Sequence, residues 1–391
     1  MNILVIGGGM AGLTYAIVAA KNGHNVTLCE RNSRVGKKIA MTGNGRCNIG
    51  NVKVDATCYN KSAIVKSVLE EISVDEYRRF LRSCGILTYC DHEGRLYPLT
   101  DNANSVVDCL RHQFYKFGGK TLVDTEVTSF VKVADKFQVN IRSERLTFDK
   151  LVLACGSKSQ SEPLNIYYLV PADVFTPMVP SLVPVKIRNM DGTLNGLRAK
   201  ADVSLYDGIV ELGKECGEVQ FKDYGLSGIC IFNLSAIIAR REILRKKSNY
   251  RFVVDAAPYL KLWDLEEIIY NRLRSGEHKE LFYGVLHNKL AEHVLRKCKD
   301  ITNASELAYT AKNLNFEFDH LLDWTKSQVT AGGIDERYVN LDTLQLNNGV
   351  VVLGEILNVD GICGGNNLFF AAASALYTFD KQQRETAYTF S

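Results

Sequence analysis

Three glycines and one acidic residue near the start of the chain have the types and the spacing that bind a phosphate-containing ligand. Gly7, Gly9 and Gly12 form a G-x-G-x-x-G pattern, and Glu30 stands at the end of the next predicted strand. In such a pattern the first glycine permits a tight turn, the second lets the backbone approach a pyrophosphate, and the third lets a helix lie close to a strand. An acid at the position of Glu30 accepts hydrogen bonds from an adenosine ribose. The four residues therefore predict a dinucleotide site.

The elements around the glycines are those that this interpretation requires. Residues 3–6 are a β-branched apolar run, residues 13–20 are small and apolar as in a packed helix, and residues 26–30 form a second strand. A helix that starts in the glycine turn presents free N–H groups and the positive end of its dipole to a pyrophosphate. A glycine-rich turn without a nucleotide would leave Glu30 unexplained, so dinucleotide binding is the better interpretation.

A second segment suited to ligand binding follows at residues 42–48. The sequence Thr-Gly-Asn-Gly-Arg-Cys-Asn places glycines, amides, a hydroxyl group and one arginine close together. Such a loop can surround a phosphate chain or a flat polar ring with backbone N–H and amide donors. Its position soon after Glu30 favours ligand contact over an ordinary surface loop.

The end of the chain repeats features of a nucleotide-binding domain, whereas the middle does not. A strand at residues 350–353 runs into Gly354-Glu355, residues 361–368 are rich in glycine, and a helix is expected at 369–379. Prolines concentrated between residues 171 and 184 indicate a crossing between domains. The pattern predicts an α/β domain of residues 1–178 and 325–391. An insertion of residues 179–324 would interrupt it, β-rich at 185–258 and helical at 262–314.

Composition narrows the class of protein. The chain has 391 residues, 46% of them hydrophobic and 23% charged, which is typical of a globular protein with two or three domains. The first apolar run lacks the basic region that precedes the apolar part of a signal peptide, so a signal peptide is not expected. No apolar run reaches the length of a membrane span. The 11 cysteines include no C-x-x-C pair, which argues against a disulfide framework, a paired redox-active dithiol or a zinc ribbon. A reducing, cytoplasmic location is therefore expected.

The charge pattern narrows the expected partners. The formal net charge is only +3, and the densest basic patch, Arg240-Arg241 with residues 245–247, has the spacing of a solvated helix face. We therefore expect a small-molecule substrate, with neither nucleic acid nor a membrane as partner.

Together these segments resemble the bacterial NAD(P)/FAD-dependent oxidoreductase family that includes aminoacetone-oxidase-like and bile-acid-reductase-like flavoproteins. The resemblance spans nearly the full length and rests on residues 7–30, 42–48, 329–333, 353–355 and 360–368. It implies a Rossmann-type FAD-binding domain of the two-dinucleotide-binding class, interrupted by an insertion with a β-barrel-like part and a helical part. We further expect the insertion to shape a substrate cavity over the flavin, since clefts between domains are the usual ligand sites.

The resemblance also assigns residues to FAD. The ADP half would be held by Gly7, Gly9, Gly12, Glu30 and Lys38, with the backbone of Val127 at the adenine. The flavin side would be lined by Thr42, Gly43, Asn44, Gly45, Arg46, Cys47 and Asn48, and closed by Gly354, Glu355, Gly361, Gly364, Gly365, Asn366, Asn367 and Leu368. Further cofactor contacts are expected at Met10, Ala11, Arg31, Ala154, Cys155 and Gly156.

Three segments depart from the family pattern. They are Ala-Cys-Gly-Ser at residues 154–157 in place of Ala-Thr-Gly-Gly, a short glycine-free stretch at 159–170, and Phe369-Phe370 after the last Asn-Leu. These departures concern the substrate side more than the cofactor.

The activity that the resemblance implies is an FAD-dependent oxidoreductase that moves a hydride between flavin N5 and a small organic substrate or NAD(P)H. Two alternatives stay open: a flavin-binding protein without turnover, and an FAD-dependent RNA-modification factor. The sequence has no second G-x-G-x-x-G, which argues against a dedicated nicotinamide domain. Transient docking of NAD(P)H and direct reduction by an organic substrate both remain open.

No side chain is identified as a catalytic acid or base. The histidines at 24, 112, 278, 287, 293 and 320 fall on helices or polar segments, where a structural role is expected. Cys47 and Cys363 lie in flavin-side loops, either as thiols near the flavin or as small residues that fit tight turns. A helix beginning near Asn366 is expected to point its N-terminus at the pyrimidine edge of the flavin.

Overall fold

The computed structural model of the chain describes residues 1–159, 169–245, 248–277 and 280–388. The chain divides into two compact units, one formed by Met1–Met178 with Val329–Ser391 and the other by Val179–Gln328. The glycine-rich segments of both chain ends belong to the first unit. No described helix is both long and apolar enough to cross a membrane.

The first unit is built on a seven-stranded sheet, with elements numbered along the chain. In spatial order its strands are β19 (Val339–Asn340), β20 (Gln345–Leu346), β21 (Val351–Val352), β10 (Lys150–Leu153), β1 (Asn2–Ile6), β2 (Asn25–Cys29) and β6 (Lys120–Leu122). The five strands from β21 to β6 are parallel, and β19 and β20 add an antiparallel edge. Because the carboxyl ends of parallel strands meet at one edge of a sheet, the segments that follow β1, β2, β10 and β21 converge there.

The parallel strands are apolar because helices cover the sheet. Leu4 and Val5 in β1 and Leu151 and Val152 in β10 are fully buried, as expected for strands covered on both faces. Helix α1 (Met10–Lys21) is buried along most of its length and packs against α5 (Ala103–Lys116) and α10 (Asn366–Tyr377). The glycine turn therefore starts from the buried end of β1.

Shorter elements complete the first unit. The helices are α2 (Lys37–Ala40), α3 (Ala63–Glu71), α4 (Val74–Ser83) and α11 (Lys381–Tyr388). Two small antiparallel sheets join β3 (Gly50–Asn51), β4 (Thr88–Cys90) and β5 (Arg95–Pro98), and β7 (Phe130–Val133), β8 (Lys136–Ile141) and β9 (Glu144–Phe148). Strand β6 ends at Leu122, because Asp124 adopts a left-handed φ of +48° and donates its N–H to the Asn32 carbonyl oxygen.

The second unit contains a closed barrel of six strands. In order around the barrel they are β12 (Val185–Ile187), β15 (Gly225–Ser227), β14 (Val210–Phe221), β13 (Arg198–Asp207), β16 (Tyr250–Asp255) and β17 (Leu314–Leu321). Its helices are α6 (Ile229–Ile243), α7 (Leu262–Arg274), α8 (Asn288–Lys297) and α9 (Ala304–Lys312). Outside the barrel, β18 (Val329–Ile334) of the first unit pairs with β11 (Phe175–Ser181), which begins in the first unit. The predicted fold class, a Rossmann-type domain with a barrel-like and helical insertion, is confirmed.

Helix α11 follows α10 and was not predicted, because its sequence is too polar to show a packing face. A buried ion pair holds it in place. Arg384 is 5% exposed, and its Nε donates to Oε1 of Glu76 in α4 at 2.6 Å. The Arg384 Nη1 also donates to the Phe379 carbonyl oxygen at 2.6 Å, and the Tyr388 hydroxyl donates to Glu76 Oε1 at 3.2 Å.

Replacing Arg384 with methionine is expected to lower the free energy of unfolding by about 3–5 kcal/mol, because the buried Glu76 carboxylate loses its cation. Urea unfolding followed by circular dichroism measures the effect. Glu385→Gln, on the exposed side of the same helix, is the matched control and should keep the wild-type midpoint. Equal midpoints for the two variants would show that the ion pair does not stabilise the fold.

Candidate functional site

The glycine turn after β1 leaves no room for side chains at two of its glycines. A Cβ on Gly7 would lie 2.4 Å from the Ala154 carbonyl oxygen, and Gly7 has a φ of +106°. A Cβ on Gly12 would lie 1.9 Å from the Gly7 carbonyl oxygen. These two glycines are therefore required by the packing of β1, β10 and α1, whatever ligand is bound.

Gly9 differs from its neighbours because a Cβ there would meet no atom within 4 Å. Its backbone is extended, with φ −79° and ψ −169°, a conformation open to other residues. Gly9 is also the N-cap of α1, and no side chain caps the first turn of that helix. Open space beside uncapped helix N–H groups is the arrangement that accepts a pyrophosphate, so the residues present fit a dinucleotide.

Glu30 is held beside this turn by hydrogen bonds to both carboxylate oxygens. Its Oε2 accepts from the Gly8 N–H at 2.9 Å, and its Oε1 accepts from the Asn32 backbone and side chain at 2.8 and 2.6 Å. The segment that leads to Val127 lies alongside, since the Thr125 N–H donates to the Glu30 carbonyl oxygen at 2.9 Å. Val127 itself is buried. The predicted ribose acid and the predicted adenine contact therefore sit close together at the sheet edge, where Arg31 follows Glu30 directly.

The strand ends after β10 and β21 meet at the same edge. A Cβ on Gly354 would lie 3.0 Å from the Ala11 side chain, so Gly354 approaches the start of α1 directly after Met10. A Cβ on Gly156, beyond Ala154 and Cys155, would lie 4.0 Å from Glu355 Oε2. The turn at residues 7–12 and the two strand ends thus form one continuous surface.

Glu355 is the centre of a polar cluster on that surface. Its Oε1 accepts from the Ser159 hydroxyl and from the Thr330 N–H, both at 3.0 Å. The Lys38 ammonium group contacts Glu355 Oε2 and the Ser159 hydroxyl. The structure therefore places Lys38, which the resemblance assigns to the ADP half, against the acid assigned to the flavin side.

The loop at residues 42–48 has an unusual backbone. Gly43, Asn44, Gly45 and Cys47 all have φ between +53° and +85°. Left-handed conformations at residues other than glycine cost energy and cluster at ligand sites. Cys47 is fully buried, and burial raises the pKa of its thiol to about 11. These properties favour a small residue that fits a tight turn over a reactive thiolate.

Arg46 extends from this loop into an exposed cluster of polar and aromatic side chains. Its guanidinium donates to the Tyr89 hydroxyl at 2.7 Å and to Asp101 Oδ1 at 3.0 and 3.2 Å. It also lies over the Tyr97 ring, 4.5 Å from the ring centre. The structure thus brings Arg46 to the hairpin of β4 and β5.

The start of α10 is joined to the loop at residues 42–51. The Asn51 side chain donates to the Gly364 carbonyl oxygen at 3.2 Å. The Asn48 side-chain amide is oriented so that its nitrogen donates to the Gly50 carbonyl oxygen. Its oxygen then accepts from the Gly365 N–H at 3.2 Å. The Asn367 side chain forms a bidentate pair with the Gly361 backbone, with both distances 2.8 Å.

The first turn of α10 presents unused donors. Within the described part of the chain, the backbone N–H groups of Asn366, Asn367 and Leu368 have no hydrogen-bond acceptor. Gly364 and Gly365, which precede them, have φ of +119° and +94° and carry no side chain that would cover this helix end. The expected helix start near Asn366 is thus present with its N-terminus open.

Sequence reasoning missed several residues of this surface. Thr330 is fully buried, its N–H binds Glu355, and its hydroxyl oxygen has no partner among the described residues. Tyr59 donates to the Asn366 carbonyl oxygen at 2.8 Å. Ser159 and Asn51 complete the set. The Val-Thr-Ala-Gly-Gly strand was a visible signal for Thr330, whereas the other three lie in ordinary polar segments.

Some features noted in the sequence lie outside the described residues. These are His278, residues 160–168 of the glycine-free stretch, and residues 246 and 247 of the basic patch.

A Rossmann-type sheet with a glycine turn and an acid at its carboxyl edge defines a dinucleotide-binding protein. The chain belongs to the HI0933-like protein Rossmann domain family, whose model matches residues 1–379. The predicted resemblance is thereby confirmed, and so is the enzyme class, an FAD-dependent oxidoreductase.

Three relatives match almost end to end. The chain is 31% identical to the 3-dehydro-bile acid delta(4,6)-reductase of Clostridium scindens, over 95% of this chain and 96% of the relative. It is 27% identical to the ribosomal RNA dihydrouridine synthase of Haemophilus influenzae, with the same two coverages. Identity to the ribosomal RNA dihydrouridine synthase of Escherichia coli is 24%, over 95% of both chains.

Among solved structures, one that is similar to this chain is the 3-ketosteroid-delta4-(5alpha)-dehydrogenase of Rhodococcus jostii RHA1. Its TM-score is 0.43 at 13% identity, and the match covers 99% of this chain and 96% of that chain. CtdE in complex with FAD is similar with a TM-score of 0.38, 13% identity, and coverage of 97% and 82%.

The two kinds of glycine in the turn allow a paired experiment. Gly9→Val should leave the apoprotein as stable as wild type, because the site is open and the backbone permits a side chain, but should weaken FAD binding at least tenfold. Gly12→Ala should instead lower the unfolding midpoint, because its Cβ would clash with the Gly7 carbonyl oxygen. Flavin fluorescence titration and thermal unfolding of the apoprotein separate the two effects. Wild-type FAD affinity in Gly9→Val would place the pyrophosphate elsewhere.

Proposed function

We propose that this protein is a reductase that delivers a hydride, by way of bound FAD, to a carbon–carbon double bond conjugated with a carbonyl group in a small organic substrate. The observation that carries the proposal is the end-to-end similarity to a delta(4,6)-reductase at 31% identity. The dihydrouridine synthases are named for a related change, saturation of a double bond next to a carbonyl group in a pyrimidine. Relatives named for different substrates thus share one class of reaction.

The residues at the carboxyl edge supply the binding part of this function. Gly9 and the start of α1 would receive the pyrophosphate, Glu30 the adenosine ribose, and Glu355 the ribityl chain. The loop at 42–48 and residues 361–368 would enclose the flavin, which supplies hydride transfer at N5 when bound. The open space at Gly9 and the partnerless Thr330 hydroxyl support this arrangement.

The open N-terminus of α10 has an electrostatic role in the proposal. Its three free N–H groups and the positive end of the helix dipole would face the pyrimidine edge of the flavin ring. Reduction leaves negative charge at that edge, and donors that are already oriented stabilise such charge without reorganisation. Asn48, Asn51 and Tyr59 would hold these donors in place through their hydrogen bonds to Gly365, Gly364 and Asn366.

The main alternative to a free small molecule as the substrate is a base in RNA. Similarity to the two ribosomal RNA dihydrouridine synthases favours RNA, at 27% and 24% identity. The net charge of +3 favours a small molecule, because RNA binding relies on many phosphate contacts. A flavin-binding protein without turnover is the third candidate.

One experiment tests the proposal against both alternatives. Flavin released from the purified protein is identified by chromatography, and the holoprotein is then reduced anaerobically with NADH, NADPH or dithionite. Reoxidation of the flavin is followed after addition of a 3-oxo-4,6-diene steroid acid, a small cyclic enone, or ribosomal RNA that lacks dihydrouridine.

Fast reoxidation by an enone, with formation of its saturated product, is the expected result. Reoxidation by RNA alone would establish the RNA-modifying alternative. Failure of every acceptor and of both nicotinamides to exchange electrons with the flavin would establish binding without turnover. FMN, or no flavin after reconstitution with FAD, would end the proposal.

The role of α10 is tested by a pair of variants that differ only in charge. Leu368→Asp places a carboxylate at the open helix end, and Leu368→Asn places a neutral group of the same shape there. The flavin reduction potential of the Asp variant should lie about 30 mV or more below that of the Asn variant, since 30 mV corresponds to about 1.4 kcal/mol for a two-electron couple. Equal potentials in the two variants would mean that the end of α10 does not face the flavin.

A further inference from the structure

The second unit contains a cavity of about 510 Å³ that has no place in the proposed reaction. Its lining comes from the segment after β12, from α8 and from β17, and it includes Arg188, Asp191, His293, Arg296, Lys297 and Glu317. We call it the His293 pocket. All of its residues belong to the second unit.

His293 forms the floor of this pocket and is only 3% exposed. Its Nδ1 hydrogen-bonds with Asp191 Oδ2 at 2.7 Å, and its ring lies parallel to the Phe316 ring at 6.0 Å. Because an ionised carboxylate only accepts, the hydrogen bond places a proton on Nδ1. Nε2 has no partner within the described residues, although His293 lines the cavity.

Asp191 is fully engaged in holding the pocket together. Its Oδ1 accepts from the Thr193 N–H at 3.0 Å and from the Thr193 hydroxyl at 2.7 Å. Its Oδ2 accepts from Arg296 at 2.8 Å as well as interacting with His293. Burial opposes ionisation, but the hydrogen bonds from Thr193, His293 and Arg296 hold the pKa of Asp191 well below its usual range. Its charge is therefore compensated by Arg296 and is not available to a ligand.

Apart from Asp191 and Arg296, which compensate each other, the charged side chains around the pocket favour binding of an anion. Arg188 and Lys297 are exposed at its rim, opposed by Glu317. His293 lines the cavity, and its Nδ1 is already engaged by Asp191, so Nε2 is the ring nitrogen that a ligand oxygen in the cavity can reach.

We propose that the His293 pocket binds a small oxyanion, a phosphate or carboxylate group, with one oxygen on His293 Nε2 and its charge shared by Arg188 and Lys297. In the free protein, burial lowers the pKa of His293, although Asp191 opposes this effect. The bound anion favours the imidazolium form, so a proton is taken up on Nε2 as the anion binds. The charged groups facing the imidazole are Asp191, Arg296, Lys297, Arg188 and Glu317.

Calorimetric titration of the full-length holoprotein tests this proposal. Inorganic phosphate and citrate are titrated separately at pH 7, each against sodium chloride of equal ionic strength, so that the two arms distinguish phosphate from carboxylate ligands. Each titration is repeated in two buffers with different ionisation enthalpies, because the difference in heat measures the net protons exchanged. The value for His293→Gln is subtracted, because phosphate and citrate themselves titrate near pH 7. Saturable binding of at least one anion, with proton uptake and with affinity that rises as pH falls, is expected.

Exposed residues at the rim provide variants that keep the fold. Lys297→Gln and Arg188→Gln should each weaken binding about tenfold, whereas Lys299→Gln, which removes the same charge outside the pocket, should bind like wild type. His293→Gln should abolish proton uptake. All four variants should retain FAD, which serves as the check on folding.

Three outcomes would overturn the proposal. The first is that neither anion binds beyond the chloride control. The second is equal weakening in Lys297→Gln and Lys299→Gln, which would indicate a general charge effect. The third is the same net proton exchange in His293→Gln as in wild type, which would exclude His293 Nε2 as the contact.

Discussion

The close approach of three backbone segments at Gly7 is the constraint on which the cofactor half of this molecule depends. The Gly7 position leaves 2.4 Å between a hypothetical Cβ and the Ala154 carbonyl oxygen, and the Gly12 position leaves 1.9 Å to the Gly7 carbonyl oxygen. Strands β1 and β10 and the start of α1 can therefore meet only where side chains are absent. That contact fixes the helix end at the carboxyl edge of the sheet, and the open space at Gly9 lies directly beside it.

Residues far apart in sequence reach this edge because the sheet is parallel. Lys38, Ser159, Thr330 and Glu355 form one cluster, although the Lys38 and Glu355 contact spans 317 residues of chain. The Asn51 contact with Gly364 spans 313 residues. The two ends of the chain therefore form a single cradle, and the barrel unit is inserted between them without interrupting the sheet. Such an arrangement lets the intervening unit vary while the cradle stays constant.

The parts of the structure that could be predicted are those encoded by short stretches. The glycine turn with Glu30, the strand that enters Gly354-Glu355 and the helix that starts at Asn366 each follow from spacing within about 30 residues of sequence. Helix α11 could not be predicted, because its stability depends on the ion pair between Arg384 and Glu76, two residues 308 positions apart. The same reason hid the hydrogen bond of His293, because its partner Asp191 lies 102 positions away. Long-range polar contacts leave no periodic trace in a sequence.

The division of the chain into the cradle and the inserted barrel unit bears on which residues determine substrate selectivity in this family. Relatives named for a bile acid and for ribosomal RNA both match this chain over about 95% of its length, so the overall architecture does not select the substrate. Under the proposed function the cradle would also offer little selectivity, because its backbone N–H groups and glycines would contact the phosphates and ring edges of the cofactor rather than the substrate. Selectivity must then reside in side chains that can change without disturbing the close contacts at Gly7 and Gly12. The exposed Arg46 cluster on the β4–β5 hairpin meets this condition, since Tyr89, Tyr97 and Asp101 hold its guanidinium at the surface next to the loop at residues 42–48. Substitutions there would alter polar and aromatic contacts on the surface while the buried sheet and the cofactor turn remain intact.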